Sequence, residues 1–300
     1  VFTCRQKEFE TELLEAYGFD YKSFGKHHHT KTGKILGLMK FNLYMLWVAL
    51  KFKPNLFLSH GSIYAAQVAW LTGKPHISME DSGNMEQIKL YRPFTKAILV
   101  PDVLPQNFGP KQLKYHAIHE LHYLHPHYYT PSTSIFKYLN IKKNDPYCIL
   151  RFVSWNATHD HGHTGFTAEE KKVLIEYLSK NSKVFITSEI ELPDHYKPFQ
   201  IKIPPEKIHD ALYYSNLVIS EGATIASEAG VLGTPTIYVN SIIRYYNEDL
   251  GKYGLVKNYR NGAQVLEKAK EILENNDREE YRQKRKRILK QNPDYQYKFK

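Results

Sequence analysis

Between Ser220 and Pro235 the chain reads Ser-Glu-Gly-Ala-Thr-Ile-Ala-Ser-Glu-Ala-Gly-Val-Leu-Gly-Thr-Pro, the stretch whose residue types come nearest to chemistry. Gly222 and Ala223 set almost no bulk over the first turn of a helix. An anionic group can then approach the backbone N–H donors that every helix start leaves unpaired. Thr224 and Glu228 are four residues apart and share a helix face, which puts a hydroxyl near a phosphate and a carboxylate one turn deeper. A carboxylate can accept two hydrogen bonds in a fork, which suits ribose hydroxyls. The competing expectation is that the small residues only let the helix pack close to a sheet, with Glu228 exposed; a lone glycine-rich turn does not choose between the two.

Histidine raises the question of a metal. His159-Asp160-His161-Gly162-His163 offers ligand types suited to zinc or manganese. His116, His119, His122 and His125 recur every three residues, a spacing that drifts around a helix. Neither cluster follows a strict ligand motif, so neither a metal nor another cofactor is expected.

The elements that must position these residues alternate. From Pro54 to Met79 the pattern is strand (56–59), turn (His60-Gly61-Ser62), helix (63–72), then Gly73, Pro75 and a second strand. A short apolar run suits a buried parallel strand, glycine supplies a left-handed helix cap, and proline prevents continuation. The same grammar returns from Leu217 to Val239, with Gly233 and Pro235 in the corresponding places. A third unit opens on the apolar strand 147–153, and Thr167 with Glu170 forms a capping box for the helix that follows. Strand and helix alternating throughout argue for parallel sheets covered on both faces, with ligands at the carboxyl ends of the strands. The proline-containing, Ser/Thr-rich crossing before residue 147 predicts a domain at 1–130, a linker at 131–146, a second domain at 147–285 and a basic tail at 286–300. A ligand is expected in the cleft between the domains.

Composition narrows the partners. Across 300 residues, 41 Lys and Arg against 31 Asp and Glu leave +10, which favours anionic ligands. The absence of any motif interleaving aromatic and basic residues argues against nucleic acid. Two cysteines leave no disulfide framework and fit a reducing, cytoplasmic compartment. The segment 35–50 is apolar but interrupted by Lys40 and Asn42, too short for a membrane span. Together with the basic helix after Arg278 it could lean on an anionic membrane, where lipid-linked acceptors reside. An opening Val1-Phe2-Thr3-Cys4 without Met leads us to expect that a first strand and helix are missing.

The run Glu228-Ala229-Gly230-Val231-Leu232-Gly233-Thr234-Pro235, preceded by Gly222-Ala223-Thr224, resembles the donor-binding signature of GT-B glycosyltransferases of the MurG type, and the non-hydrolysing UDP-N-acetylglucosamine 2-epimerases share a related one. Three further stretches, Arg151-Phe152-Val153-Ser154-Trp155-Asn156-Ala157-Thr158-His159-Asp160, Ile203-Pro204-Pro205-Glu206-Lys207-Ile208-His209 and Glu120-Leu121-His122-Tyr123-Leu124-His125-Pro126, resemble the family catalogued as domain of unknown function 354. That resemblance implies an α/β chain of GT-B type, two Rossmann-like doubly wound domains facing a cleft. It implies a nucleotide-diphosphate sugar, most naturally a UDP-sugar, as donor, and a sugar or lipid-linked hydroxyl as acceptor. Gly222, Ala223 and Thr224 would serve phosphate and Glu228 ribose, with Ser220, Glu221, Ser227, Arg151, Ser154, Trp155 and His209 around them and His60, Gly61 and Ser62 on the acceptor side. Glycosyl transfer needs a base for the acceptor hydroxyl and neutralisation of the leaving diphosphate. Glu80, Asp81 and Glu120 are the acceptor-side candidates, and His159 and Asp160 stand near the end of the strand carrying Arg151. Against epimerisation, this chain has Ser62 where epimerases carry an Asp in a His-Gly-Asp turn, and a serine is no general base without an activating partner. Glu80 does match an acidic position of the epimerases, which keeps a sugar-nucleotide epimerase or hydrolase open as the alternative, beside a non-catalytic sugar-nucleotide-binding protein.

Overall fold

A computed structural model describes residues 1–6, 9–26, 31–153, 165–188 and 191–291. The chain forms two compact units, Val1–Ala117 and Ile118–Lys300.

In the first unit, β1 (Phe2–Gln6), α1 (Glu10–Ala16) and β2 (Tyr21–Lys26) form a parallel strand pair, and α2 spans Lys31–Phe52. There follow β3 (Phe57–His60), α3 (Ile63–Leu71), β4 (His76–Met79), α4 (Met85–Tyr91), β5 (Ala97–Pro101) and β6 (Gln112–Tyr115), the four strands paired in that order and all parallel. The core beneath β5 is Ile88, Tyr91, Ile98, Val100, Leu104 and Phe108.

The second unit begins with α5 (Leu121–Leu124) and α6 (Ile135–Tyr138), then β7 (Tyr147–Phe152), α7 (Ala168–Asn181), β8 (Lys183–Ser188), α8 (Ile208–Tyr214), β9 (Leu217–Ser220), α9 (Ala223–Val231), β10 (Thr236–Val239), α10 (Tyr245–Lys252), β11 (Val256–Tyr259), α11 (Val265–Asn275) and α12 (Arg278–Gln291). Its parallel sheet runs in the order β11-β10-β9-β7-β8. From β7 the chain winds one way to β8 and then back across to β9, so the order reverses between β7 and β9. That is where open α/β sheets bind ligands, outside the carboxyl ends of the strands. Leu217, Val218 and Ile219 of β9 are buried, each contributing about 1.5–3 kcal/mol by removal from water.

The division falls at Ala117 rather than in the expected crossing at 131–146. Ile118, Leu121, Leu124, Ile135, Phe136 and Leu139 bury their side chains in the core of the second unit. The segment read as a linker is therefore part of that unit's packed interior, and Glu120, assigned above to the first domain, belongs to the second.

The repeated grammar has a repeated structure. β3–α3–β4 and β9–α9–β10 each consist of a four-residue strand, a nine-residue helix and a four-residue parallel strand. Gly73 and Gly233 end the two helices with φ of 66° and 74°, the left-handed turn a residue with a Cβ resists. The other glycine of the stretch, Gly230, has a packing role: a Cβ there would lie 2.7 Å from Val256 Cγ2. Thr167 and Glu170 form the expected capping box on α7. Among the described residues no helix is long and apolar enough to cross a membrane.

Candidate functional site

α9 starts at Gly222, whose φ of −86° and ψ of 126° suit a helix cap but which has no side chain to act as one. The Gly222 N–H is taken by Ser220 Oγ at 3.0 Å, and the Ala226 N–H returns to the Gly222 carbonyl at 3.3 Å. Among the described residues nothing accepts from the N–H groups of Ala223, Thr224 and Ile225, and Thr224 is exposed. With the positive end of the helix dipole behind them, these three donors have the geometry of an anion seat. Arg151 adds a cation at the same strand ends. It pairs in register with Ser220 of β9 and Thr187 of β8, donates from Nη1 to Thr187 Oγ1 at 2.8 Å, and passes close enough over Gly222 that a Cβ there would meet its Cγ at 3.4 Å. The seat thus lies at the reversal of strand order.

One turn into α9, Glu228 is buried, overturning the expectation of an exposed carboxylate. Its Oε1 accepts from Tyr123 Oη at 3.0 Å and from His209 Nε2 at 3.1 Å, and Oε2 has no hydrogen-bond partner among the described residues. The His209 ring also lies against Tyr123 and Tyr129, at 5.7 and 5.9 Å between centroids. Beside Glu228, the Ser227 hydroxyl bonds Oε1 of buried Glu120 and also lies 2.9 Å from the Thr224 carbonyl. α8 is locked in place by its next residue: Asp210 accepts from Tyr129 Oη at 2.6 Å and from the Ser132 N–H at 2.9 Å. Tyr123, Glu120, Ser227, His209 and Glu228 form one polar cluster along α9.

Glu221 has a different role from the one expected of it. Its carboxylate is fully buried and accepts from the Val153 N–H at 3.1 Å, from the Phe166 N–H at 2.8 Å and from Lys171 Nζ at 3.2 Å. Its carbonyl accepts from Asn240 Nδ2 at 2.9 Å. All of these are scaffold contacts, so Glu221 fixes the chain on either side of 154–164 and is not a ligand contact. Ser154, Trp155, His159 and Asp160 lie outside the described residues, as does the rest of the His159–His163 cluster.

In the first unit the corresponding turn is closed. Ser62 caps α3 by accepting from the Ala65 N–H at 3.2 Å, so its hydroxyl serves the helix. Gly61 is held by Ser78 Oγ on its N–H at 3.1 Å and by Gln87 Nε2 on its carbonyl at 2.6 Å. Glu80, a candidate base above, is buried and accepts four hydrogen bonds: Ser82 N–H at 2.9 Å, Ser82 Oγ at 2.6 Å, Gly83 N–H at 3.0 Å and Tyr91 Oη at 3.0 Å. With three donors on Oε1 and Tyr91 on Oε2 the carboxylate shapes the turn, which argues against Glu80 as the base. Asp81 differs: it is half-buried and its Oδ1 lies 3.3 Å from His60 Nε2. The hydrogen bond to Asp81 raises the His60 pKa, with burial opposing and the charges of Asp81 and Glu80 adding to it.

Against known proteins, residues 1–288 match the family described as protein of unknown function (DUF354). The chain belongs to that family. The DUF354 chain is 25% identical over 248 residues to an uncharacterized protein of Methanocaldococcus jannaschii, covering 79% of this chain and 72% of that protein. Its fold is that of GT-B enzymes. It is similar to a UDP-GlcNAc 2-epimerase of Neisseria meningitidis solved with UDP-GlcNAc (TM-score 0.61, 15% identity, 93% of this chain and 84% of that one). It is also similar to the UDP-GlcNAc 2-epimerase of Methanocaldococcus jannaschii solved with UDP-GlcNAc and UDP (0.59, 14%, 88% and 81%) and to the spinosyn forosaminyltransferase (0.58, 12%, 96% and 87%).

Within the second unit of the DUF354 chain, the structure brings together Arg151, Ser220, Gly222, Ala223 and Thr224 at the strand ends and Glu120, His209, Ser227 and Glu228 along α9. Sequence reasoning missed Tyr123, Thr187 and Asn247. Asn247 is fully buried and donates from Nδ2 to the Ala223 carbonyl at 3.2 Å, holding the first turn of α9. Only Tyr123 carried a signal, since it lies within a stretch that already resembled the family.

Proposed function

We propose that this chain binds a nucleoside diphosphate sugar, a UDP-sugar, through its second unit and transfers the sugar to an acceptor hydroxyl. The observation that carries the reading is the asymmetry of the twin helices: Ser62 caps the Ala65 N–H of α3, whereas the counterpart Ile225 N–H of α9, with those of Ala223 and Thr224, has no acceptor among the described residues and stands beside Arg151. Such donors, aimed before the reaction begins, stabilise the charge that develops on a leaving diphosphate. In this reading Glu228 receives the ribose on Oε2, while Tyr123 and His209 hold Oε1. Asp81 with His60 is the acid–base pair offered by the first unit, and Glu120 is the carboxylate next to the nucleotide cluster. Structures sharing this fold were solved with UDP-GlcNAc and UDP, which supports the choice of nucleotide. Exposed Met39, Leu43, Trp47 and Leu50 recur every three or four residues along α2. They support peripheral contact with an anionic membrane and a lipid-linked acceptor; absence of co-sedimentation with anionic liposomes at low salt would remove that part.

Incubation with UDP-, GDP-, CMP- and dTDP-sugars tests the reaction. Nucleotide release only when an acceptor is present supports transfer, whereas a new sugar nucleotide formed without acceptor identifies an epimerase. The ribose assignment is tested separately with Glu228→Gln. The wild-type chain should bind UDP about 10- to 150-fold more tightly than 2′-deoxy-UDP, as expected for one hydrogen bond to a charged group worth roughly 1.5–3 kcal/mol, and the variant should lose most of that preference. Equal discrimination in both proteins would refute it.

A further inference from the structure

α12 carries Arg278, Arg282, Lys284, Arg285, Lys286, Arg287 and Lys290, and nothing in the proposed reaction uses them. A cavity of about 730 Å³ opens between this helix and the end of α8, lined by Tyr213, Tyr214, Arg278, Arg282, Arg285 and Lys286 among others. Its size is that of small-molecule sites. Glu279 is the acidic residue of its wall, and that carboxylate accepts from Gln283 Nε2 at 2.6 Å. Among the described residues, no carboxylate lies within salt-bridge reach of any of the four basic residues.

Two of the four are held rigidly. Arg282 stacks on the Tyr213 ring at 3.5 Å and donates to the carbonyls of Leu232 and Tyr213. Arg285 donates from Nε to the Val231 carbonyl at 2.9 Å and from Nη2 to the Leu124 carbonyl at 3.3 Å. Each guanidinium thus commits two of its five donors and leaves three. Burial lowers the pKa of both, and for Arg282 the like charges of Arg278 and Arg285 add to the effect. Capping the negative ends of α9, α8 and α5 accounts for the carbonyl bonds. It does not account for Arg278 and Lys286, which face the same cavity and make no hydrogen bond among the described residues.

We propose that this cavity is a second anion site, for a phosphate-bearing ligand. Positive charge taken partly out of water without a countercharge is costly, and an anion in the cavity removes that cost. Two pre-fixed guanidinium forks also match phosphate geometry. The site is distinct from the seat at Ala223: Arg282 and Arg285 bond the opposite end of α9, about 13 Å away for a nine-residue helix.

Titration calorimetry with inorganic pyrophosphate, in the presence of excess UDP to occupy the other seat, tests it. The wild-type chain should bind pyrophosphate, and R278Q/K286Q should bind it at least tenfold more weakly with UDP affinity unchanged. Because neither side chain bonds the scaffold, both proteins should melt alike, and R278E/K286E should abolish binding. Absence of pyrophosphate binding, or equal affinity in wild type and R278Q/K286Q, would overturn the site whether or not UDP binds elsewhere. Phosphatidylglycerol vesicles separate two sources of the phosphate: competition with pyrophosphate assigns it to a lipid headgroup, and lack of competition to a soluble ligand.

Discussion

Replacing Gly222 by serine should give α9 the cap that α3 already has. The backbone at Gly222 (φ −86°, ψ 126°) nearly matches that at Ser62 (φ −76°, ψ 116°), so a serine hydroxyl is placed to accept from the Ile225 N–H as Ser62 accepts from Ala65. The added Cβ meets Arg151 Cγ and Val153 Cγ1 at 3.4 Å, the near edge of ordinary contact. A serine cap in place of glycine stabilises a helix by only a few tenths of a kcal/mol, so the melting temperature should hold or rise slightly. Ligand binding should move the other way. The cap consumes one of three N–H donors that a diphosphate would use, and a hydrogen bond to a charged group is worth about 1.5–3 kcal/mol, so UDP affinity should fall roughly 10- to 150-fold. Thermal melting with and without UDP reads both effects at once. A G222S protein that melts like wild type and keeps its UDP-induced shift would refute the seat. The reciprocal Ser62→Gly should cost α3 a few tenths of a kcal/mol and leave UDP affinity alone.

Glu221→Ala strands Lys171 and two backbone N–H groups in the interior, and breaking a buried pair of this kind costs about 3–5 kcal/mol, or roughly 6–20 °C in melting temperature; an unchanged melting temperature with a lost UDP shift would make it a ligand contact after all. His76 is fully buried between Ser59 Oγ and Thr95 Oγ1, and burial lowers its pKa to about 4. The unfolded chain, with a value near 6.5, takes up the proton first, so stability should fall by up to about 3 kcal/mol as pH drops from 6.5 to 4, a dependence that His76→Asn should flatten in denaturant melts. His60 titrates in the opposite sense, because Asp81 holds its pKa above 6.5: the pairing is intact below that pH and is lost as pH rises through the raised value. Histidine NMR titration should show this, and a His60 pKa unmoved by Asp81→Asn would exclude the pairing.

Much of the fold was legible because its causes are local. Short apolar strands, glycine caps and prolines recur at matching distances, and they located β3–α3–β4 and β9–α9–β10 within a residue or two. The open first turn at Gly222 was legible for the same reason, since lack of bulk is a property of one residue. The boundary was misread because prolines and serines report only local backbone, whereas the segment's place is decided by Ile118, Leu121 and Leu124 finding a core far away in sequence. The roles of the acidic residues are not legible in the same way. Whether Glu80, Glu221 or Glu228 can serve a ligand depends on how many donors surround it, and those donors come from elsewhere in the chain.

That count of donors separates structure from function more sharply than residue type does. Glu80 and Glu221 have donors on both oxygens, all of them from the protein, and removing either carboxylate leaves scaffold groups unpaired. Glu228 is buried to a similar degree, yet both of its bonds fall on Oε1. Its Oε2 accepts from no described residue and is left to solvent or to a donor arriving from outside. At the start of the helix, the N–H groups of Ala223, Thr224 and Ile225 have no acceptor among the described residues, whereas in α3 the counterpart of Ile225, the Ala65 N–H, is taken by Ser62. Two unmet hydrogen-bonding demands of opposite kind, donors at Ala223–Ile225 and an acceptor at Glu228, stand one helical turn apart. A ligand that answers both must present an anion and, about 5 Å further on, a hydroxyl donor. A nucleoside diphosphate is a molecule of that form.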